Sequence, residues 1–147
     1  MYGDTLAMRR RVAQLREQGD DIRALAEQLV ARSDEVAWSG RAADAMRERV
    51  RERAGQLREA AHAHDAAAAS LSRHLTECDR LGDSIAGIER RTTTLVSDAR
   101  ARIARVEAMS VAGDVRPTAA REDQLLAAFA PPPSGHRDWL AVELPGL

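Results

Sequence analysis

Apolar residues recur at every third or fourth position through most of this chain, and no proline interrupts it before Pro117. The first series is Met8, Val12, Leu15, Gly19, Ile22, Ala26, Leu29, Ser33 and Val36. Alternating steps of four and three give a helix one apolar stripe, as in a coiled coil, and Leu25 widens that stripe. We therefore predict a first helix of about 30 residues, with Asp4 or Thr5 as its N-cap.

A second apolar series follows Gly40. Its members are Ala43, Met46, Val50, Ala54, Leu57, Ala61, His64, Ala68, Leu71, Leu75 and Cys78, and then Ile85, Ile88, Thr92, Leu95, Ala99, Ile103, Val106 and Met109. The spacing weakens near Gly82 and Gly87. One helix of about 70 residues, roughly 105 Å long, and two helices with a turn near Gly82 both fit this pattern. We favour the continuous or mildly kinked helix because no proline lies in this stretch.

The tripeptide Trp38-Ser39-Gly40 lies between the two series, where a connection between helices is needed. Gly40 can adopt the positive φ that turns a chain sharply after a helix. Trp38 offers a large ring that can lie across the gap between the helix ends. Ser39 can help to cap the second helix. The pattern predicts an all-α fold, an antiparallel helical hairpin with its bend at this tripeptide.

This W-x-G bend, in the stretch from Val36 to Met46, resembles the WXG superfamily of small helical hairpins. These ESAT-like proteins are handled by the type VII (ESX) secretion systems of Gram-positive bacteria. The resemblance covers roughly Leu6 to Ile103. It implies a secreted substrate, or a helical partner or chaperone of a secreted effector, that pairs with itself or another WXG-like protein in a four-helix bundle. A toxin or effector and the secretion ATPase are further implied partners. Trp38, Ser39 and Gly40 are the implied recognition residues at the bend.

The export features of the chain differ from those of many family members. Exported members often resemble one another in a Y-x-x-x-[D/E] signal after the second helix, whereas the only tyrosine here is Tyr2 and the fourth residue after it is Leu6. The N-terminus lacks the apolar core of a signal peptide, and no apolar stretch is long enough to span a bilayer. The resemblance implies synthesis in the cytoplasm and export by a type VII system.

Composition favours long helices. Ala, Leu, Glu and Arg make up just over half of the chain, whereas aromatic residues make up only 3%. The net charge is −1 and the signs are interspersed, so neither a nucleic-acid surface nor membrane insertion is predicted. Every basic residue apart from histidine is arginine and asparagine is absent, a bias typical of GC-rich genomes such as those of actinobacteria.

Helix packing is assigned to the large apolar residues of the two series. They are Val12, Leu15, Ile22, Leu29, Met46, Val50, Leu57, Leu71, Leu75, Ile85, Ile88, Leu95 and Ile103. The first helix is long enough to cover only the first half of the second. The stripe from Leu71 to Met109 therefore needs another cover: a second chain, the C-terminal segment, or a fold-back at Gly82.

The chain is divided into a hairpin with a long second helix (1–110), a connector with a short amphipathic helix (111–130), and a proline-interrupted apolar tail (131–147). The apolar residues of the short helix are Leu125, Leu126 and Phe129. The tail carries Trp139, Leu140 and Leu144 after a polyproline spacer, and two interpretations remain. It is a docking peptide that is mobile until bound, or it folds back onto its own hairpin.

No constellation predicts catalysis, a cofactor or a metal. His74 and Cys78 are four residues apart, but a zinc site needs more ligands, and His62 and His64 lie ten or more residues upstream. The carboxylates of the second helix alternate with arginines, Arg47 among them, in the pattern of a solvated face. We therefore predict a protein that binds other helices and is not an enzyme. The alternative is a coiled-coil scaffold or oligomerisation protein unrelated to secretion.

Overall fold

A computed structural model describes residues 2–112 and 118–147, with side chains described for 5–109 and 118–147. Within these ranges the chain forms helices and no strand, which confirms the all-α class. The elements are α1 (Tyr2–Glu35), α2 (Arg41–Ala112), α3 (Arg121–Ala127) and a 3₁₀ helix (Arg137–Ala141). The chain divides into two compact units, Met1–Glu77 and Cys78–Leu147, and α2 contributes to both.

Helix α1 is 34 residues long and begins before the predicted N-cap. Asp4 and Thr5 lie inside its first turns, so the prediction that one of them caps the helix is wrong. A carboxylate within the first turn also interacts favourably with the positive end of the helix dipole. An acidic residue near a helix start therefore does not by itself locate the cap.

Helix α2 is one continuous helix of 72 residues, as favoured from the sequence. The alternatives that placed a turn or a fold-back near Gly82 are wrong. A glycine in a helix costs about 1 kcal/mol relative to alanine, which is too little to break a helix that packing supports on both sides. No heavy atom outside the helix backbone lies within 4 Å of the position that a Cβ would occupy at Gly82 or Gly87. These two glycines are therefore tolerated by the helix without being required for packing.

In the first unit, α1 packs antiparallel to the first part of α2. Val12, near the start of α1, forms an apolar cluster with Ala68 and Leu75 of α2, while Ser33, near the end of α1, accepts a hydrogen bond from Arg47. The side chains buried between the helices are mostly small: Gly19, Ala26, Ser33, Ala43, Ala54, Ala61 and Ala68. We call these seven residues the small-residue seam.

Helices α1 and α2 lie close together at Gly19. A Cβ built on Gly19 would lie 3.0 Å from Asp65 Oδ1 and 3.3 Å from the carbonyl oxygen of Ala61. Beside it, Arg23 of α1 forms a salt bridge with Asp65 of α2. The absence of a side chain at this position thus lets the helix backbones come close together.

In the second unit, the C-terminal segment packs against α2. The buried apolar residues are Ile85 and Ala99 on α2, Leu126 on α3 and Trp139 in the 3₁₀ helix. Three alternatives were predicted for covering the apolar stripe beyond Leu71. In this unit the C-terminal segment covers it. The prediction that the chain is mobile from Pro131 onward differs from the structure, because Trp139 gains more from burial against α2 than from hydration.

Candidate functional site

Most of the larger apolar residues of the first unit lie at the edge of the helix interface, whereas Val12 and Leu75 are buried in it. Met8, Leu15 and Ile22 of α1 are half-buried, and Leu29 is 38% exposed. On α2, Met46, Val50, Leu57 and Leu71 are likewise half-buried. Small residues fill most of the interface, and these larger ones retain exposed surface, although Met8, Leu15 and Leu71 also pack against the buried cluster of Val12, Ala68 and Leu75. These eight residues, Met8, Leu15, Ile22, Leu29, Met46, Val50, Leu57 and Leu71, are called the outer apolar face.

Helical geometry places the eight residues on one side of the pair. With 3.6 residues per turn, the large residues of each helix are rotated away from its small residues in the same sense. Because α1 and α2 run in opposite directions, equal rotations point to the same side. The outer apolar face is therefore one surface to which both helices contribute, and it is suited to receive further helices.

The bend at 36–40 has the predicted glycine conformation. Gly40 has a φ of +103°, and its carbonyl accepts the amide of Asp44 at 3.1 Å as α2 begins. Trp38 differs from expectation. Its side chain is 49% exposed, so it does not lie buried across the gap between the helix ends. Ser39 is exposed as well. The bend thus presents an indole ring to solvent.

Arg47 performs the bridging role that the sequence analysis assigned to Trp38. Its guanidinium donates to the carbonyl oxygens of Ser33 at 3.3 Å, Val36 at 3.0 Å and Trp38 at 2.8 Å. It also lies 3.5 Å from the Asp44 carboxylate. The last carbonyls of a helix have no partner within the helix, and here a side chain of the next helix supplies one. The assignment of Arg47 to a solvated face is therefore wrong.

Sequence reasoning missed Arg47 because it stands among five other arginines from Arg41 to Arg58. Its spacing from the buried residues of α2 distinguishes Arg47 from the other arginines. It follows the buried Ala43 by four residues, so it lies near the small-residue seam, within reach of the end of α1. Arg49 and Arg53, which lack this spacing, are exposed.

Replacing Arg47 with leucine is expected to destabilise the protein by about 1 to 3 kcal/mol, because carbonyls at the end of α1 lose their donor. Arg47→Lys should recover only part of this loss, since an ammonium group lacks the planar fork that reaches several carbonyls. Urea denaturation followed by circular dichroism measures both effects. Arg49→Leu is the matched control, because Arg49 is exposed and should change stability by less than about 0.5 kcal/mol. Equal losses in the two leucine variants would contradict the role of Arg47.

Exposed apolar side chains continue from the outer apolar face to the bend. Leu25, Leu29, Val36 and Trp38 all retain large exposed fractions. Leu25 therefore does not widen the buried stripe as predicted. Together these four residues form what we call the bend patch. An exposed apolar patch on a folded surface often marks a binding site.

The predicted residues of the second half of α2 lie in different surroundings. Ile85 is buried, and Ile88, Leu95 and Ile103 are half-buried in the second unit. A Cβ on Gly146 would lie 3.6 Å from Leu95 Cδ2, so the tail reaches this stripe. Of the predicted docking tail, Trp139 is 4% exposed, Leu144 is half-buried and Leu140 is 45% exposed. Trp139 is thus an anchor within the chain.

Polar contacts also hold the tail on α2. The Glu89 carboxylate accepts hydrogen bonds from the amide of Gly135 at 2.6 Å and from Ser134 Oγ at 3.2 Å. Closer to Trp139, the indole Nε1 donates to the carbonyl of Pro133 at 3.0 Å, which closes the polyproline stretch into a turn. The proline stretch therefore turns the tail back onto α2.

An ion pair joins α3 to α2. Arg102 Nη2 lies 2.7 Å from Asp123 Oδ1, and Arg102 Nε lies 3.0 and 3.1 Å from the two carboxylate oxygens. The hydrogen bonds from Arg102 hold the pKa of Asp123 below its ordinary value of 3.8, because they favour the ionised carboxylate. The same pairing raises the pKa of Arg102.

Acid is therefore expected to loosen α3. A carboxyl group whose folded pKa is depressed contributes stability above its ordinary value of 3.8, and this contribution is lost as the pH falls toward the lower folded pKa. Amide exchange of residues 121–127, measured from about pH 5 to about pH 2 and corrected for intrinsic rates, should show protection falling in that window. Asp123→Asn should have reduced protection at neutral pH and a smaller acid-dependent change. If the protection of residues 121–127 falls with acid as much in Asp123→Asn as in the unmodified chain, this ion pair is not the cause.

Across residues 2–112 and 118–147, no three His, Cys, Asp or Glu side chains form a group that could hold a metal ion. His74 and Cys78 share a helix face without further ligands of that kind. None of the described helices is both long and apolar enough to cross a bilayer. No protein-family model, curated protein or solved structure matches the chain.

Proposed function

We propose that this chain is a WXG-like hairpin protein associated with type VII secretion, acting as a secreted substrate or as the helical partner of a secreted effector. The observation that carries the proposal is the outer apolar face, which leads into an exposed W-x-G bend. The proposed partner is a second copy of this chain or another WXG-like helical protein. Its proposed itinerary is synthesis in the cytoplasm followed by export, and we propose no catalytic role.

The distribution of side-chain sizes supports a binding role. A helical pair that had only to fold would bury its large residues between its helices, where each full burial is worth about 1.5 to 3 kcal/mol. Here the seam uses alanine, glycine and serine, and eight larger residues remain partly exposed on one side. Covering that side with a second helical pair would bury the remaining apolar surface of these residues, and this gain opposes an association cost of about 4 to 15 kcal/mol.

The exposure of Trp38 supports a recognition role for the bend. Tryptophan contributes strongly to protein interfaces when it becomes buried on binding. A ring that is 49% exposed in the single chain has surface left to bury against a partner or a component of the secretion system. Arg47 fixes the backbone that carries this ring, because it binds the Trp38 carbonyl.

The test of this proposal is export in a strain with an active type VII system. Trp38→Phe should fold normally, since half of the indole is solvated and phenylalanine retains most of the apolar contact. We expect it to lose most export of itself or of its partner effector while its helical content and pairing are retained. Ser39→Ala is the matched control at the neighbouring exposed position and should be exported like the unmodified chain.

Disabling the secretion ATPase distinguishes the two functional classes. If export requires the ATPase and fails in Trp38→Phe, the secretion assignment stands. If the protein pairs normally but leaves the cell equally well without the ATPase, or is not exported in any type VII strain, the coiled-coil scaffold replaces it. If export requires the ATPase but Trp38→Phe is exported as well as the unmodified chain, the secretion assignment stands and Trp38 is not part of the recognition surface.

A further inference from the structure

The C-terminal segment covers the apolar stripe of α2 incompletely. Leu126 and Trp139 are the only buried residues of 118–147. A groove of about 330 Å³ remains between α2 and the segment, with Val96 on one side and Phe129 on the other. Protein interiors are normally packed without such gaps, so the segment is not closely matched to the stripe beneath it.

Thr92 lies in the middle of the covered stripe with an unsatisfied hydroxyl group. Its side chain is 2% exposed, and its Oγ1 has no hydrogen-bond partner among the described residues. Thr93 and Thr94 differ, because each donates to a carbonyl one turn earlier in α2. A buried hydroxyl without a partner destabilises the state in which it is buried. A cover that supplied a polar partner at Thr92 would therefore fit the stripe better than the C-terminal segment does.

The stripe is self-complementary when two copies of α2 run antiparallel. With a two-fold axis beside Thr92, each residue before Thr92 faces the residue of the second copy that lies equally far after it. The larger apolar residues of the covered stripe then face apolar residues: Leu81 faces Ile103, Ile85 faces Ala99, and Ile88 faces Val96. These six residues are buried or half-buried under the present cover. The stripe therefore suits pairing with its own copy.

The same axis gives the Thr92 hydroxyl a partner. Thr92 of one copy meets Thr92 of the other at the axis, and a hydroxyl group both donates and accepts hydrogen bonds. One hydroxyl then donates to the other. This arrangement favours a second copy over an unrelated helix, because an unrelated helix would need a polar group at this one position of an otherwise apolar stripe.

We propose that the C-terminal segment is an autoinhibitory cover, and that its release lets α2 pair with α2 of a second copy, antiparallel about Thr92. In the single chain, burial of Trp139 and the hydrogen bonds from Ser134 and Gly135 to Glu89 hold the segment in place. The pairing surface lies in the second unit and is distinct from the outer apolar face. The inference therefore does not depend on the proposed role in secretion.

The test uses the full chain carrying Ile22→Glu and Leu57→Glu, because these changes remove pairing through the outer apolar face. This parent should be monomeric in sedimentation velocity at micromolar concentration. Adding Trp139→Ala should release the segment and strengthen self-association by about a hundredfold. Ile88→Glu should then restore the monomer, because pairing would bury an unpaired carboxylate. Thr94→Glu, at an exposed position of α2, is the matched control and should leave the dimer intact.

A cross-link tests the position of the two-fold axis. Cys78→Ser first removes the only native thiol. In the Trp139→Ala chain, Thr92→Cys should then form an intermolecular disulfide on mild oxidation, since a residue beside a two-fold axis brings its own Cα atoms within about 7 Å. Thr94→Cys is the matched control and should remain largely reduced.

Amide exchange of residues 121–141 reports whether the segment has been released. Dimerisation that follows release, is blocked by Ile88→Glu and cross-links through Thr92→Cys supports the proposal. The following results overturn it: a parent that dimerises with its segment still protected, a segment that stays protected in Trp139→Ala, a released chain that stays monomeric, a dimer insensitive to Ile88→Glu, or equal cross-linking of Thr92→Cys and Thr94→Cys.

Discussion

Trp139→Ala is expected to release the C-terminal segment from α2. Removing a fully buried tryptophan typically costs about 3 to 5 kcal/mol, and Trp139 is 4% exposed and packs against Phe129. It also loses the indole N–H that holds the Pro133 carbonyl. Leu126 is the other buried residue of 118–147, and the remaining contacts described for this segment include the polar ones to Glu89 and Arg102. Amide exchange should show residues 121–141 losing protection while α1 keeps its own.

Leu140→Ala is the matched control for this experiment. Leu140 adjoins Trp139 in the 3₁₀ helix but is 45% exposed, so its truncation should cost less than about 1 kcal/mol. If Trp139→Ala leaves the protection of the segment unchanged, the burial of the ring is not what holds the tail. If Leu140→Ala releases the segment as well, the 3₁₀ helix depends on its local conformation rather than on one anchor.

Placing two carboxylates on the outer apolar face is expected to abolish association. Ile22 and Leu57 lie on that face, one on each helix, and both are half-buried in the single chain. In a complex, Ile22→Glu with Leu57→Glu would bury two unpaired charges and lose two apolar contacts, which should weaken binding by about a hundredfold or more. Sedimentation velocity at micromolar concentration, alone and with a candidate partner, measures the change.

The control places the same charges away from the outer apolar face. Ala24 and Ala63 are exposed, and they follow Ile22 and Ala61 by two residues, so each points away from the residue that it follows. Ala24→Glu with Ala63→Glu should therefore leave association unchanged. Both double variants should remain helical. An unmodified chain that stays monomeric at every concentration, alone and with WXG-like partners, would show that the outer apolar face is not a pairing surface.

Periodicity predicted the residues of the helix interface but not their detailed roles. The three-and-four spacing identified Ala26, Ala54 and Ala61 as interface positions, because burial on a helix follows its rotation. The same spacing misassigned Leu25, since one extra apolar residue at the edge of a stripe lies too far around the helix to be covered. The continuity of α2 was predictable because a helix continues where proline is absent and packing supports it.

The contacts at the bend and the tail could not be predicted, because they join residues that are distant in sequence. Arg47 reaches back to carbonyls at the end of α1, and the composition of an arginine-rich helix does not indicate which guanidinium does so. The burial of Trp139 depends on a turn closed by its own indole onto Pro133. A tail with apolar residues after prolines is equally compatible with docking elsewhere, and only tertiary packing distinguishes the two.

The close contacts around Gly19 also bear on the alignment of α1 along α2. Small residues recur every seven positions on both helices, so sliding α1 by seven residues would again bring small residues face to face. Such a slide would place Val12 or Ala26 beside Asp65, and each carries a Cβ where only 3.0 Å is available. Gly19 therefore favours the observed alignment, because a Cβ in its place would require Asp65 Oδ1 and the Ala61 carbonyl to shift by a few tenths of an ångström.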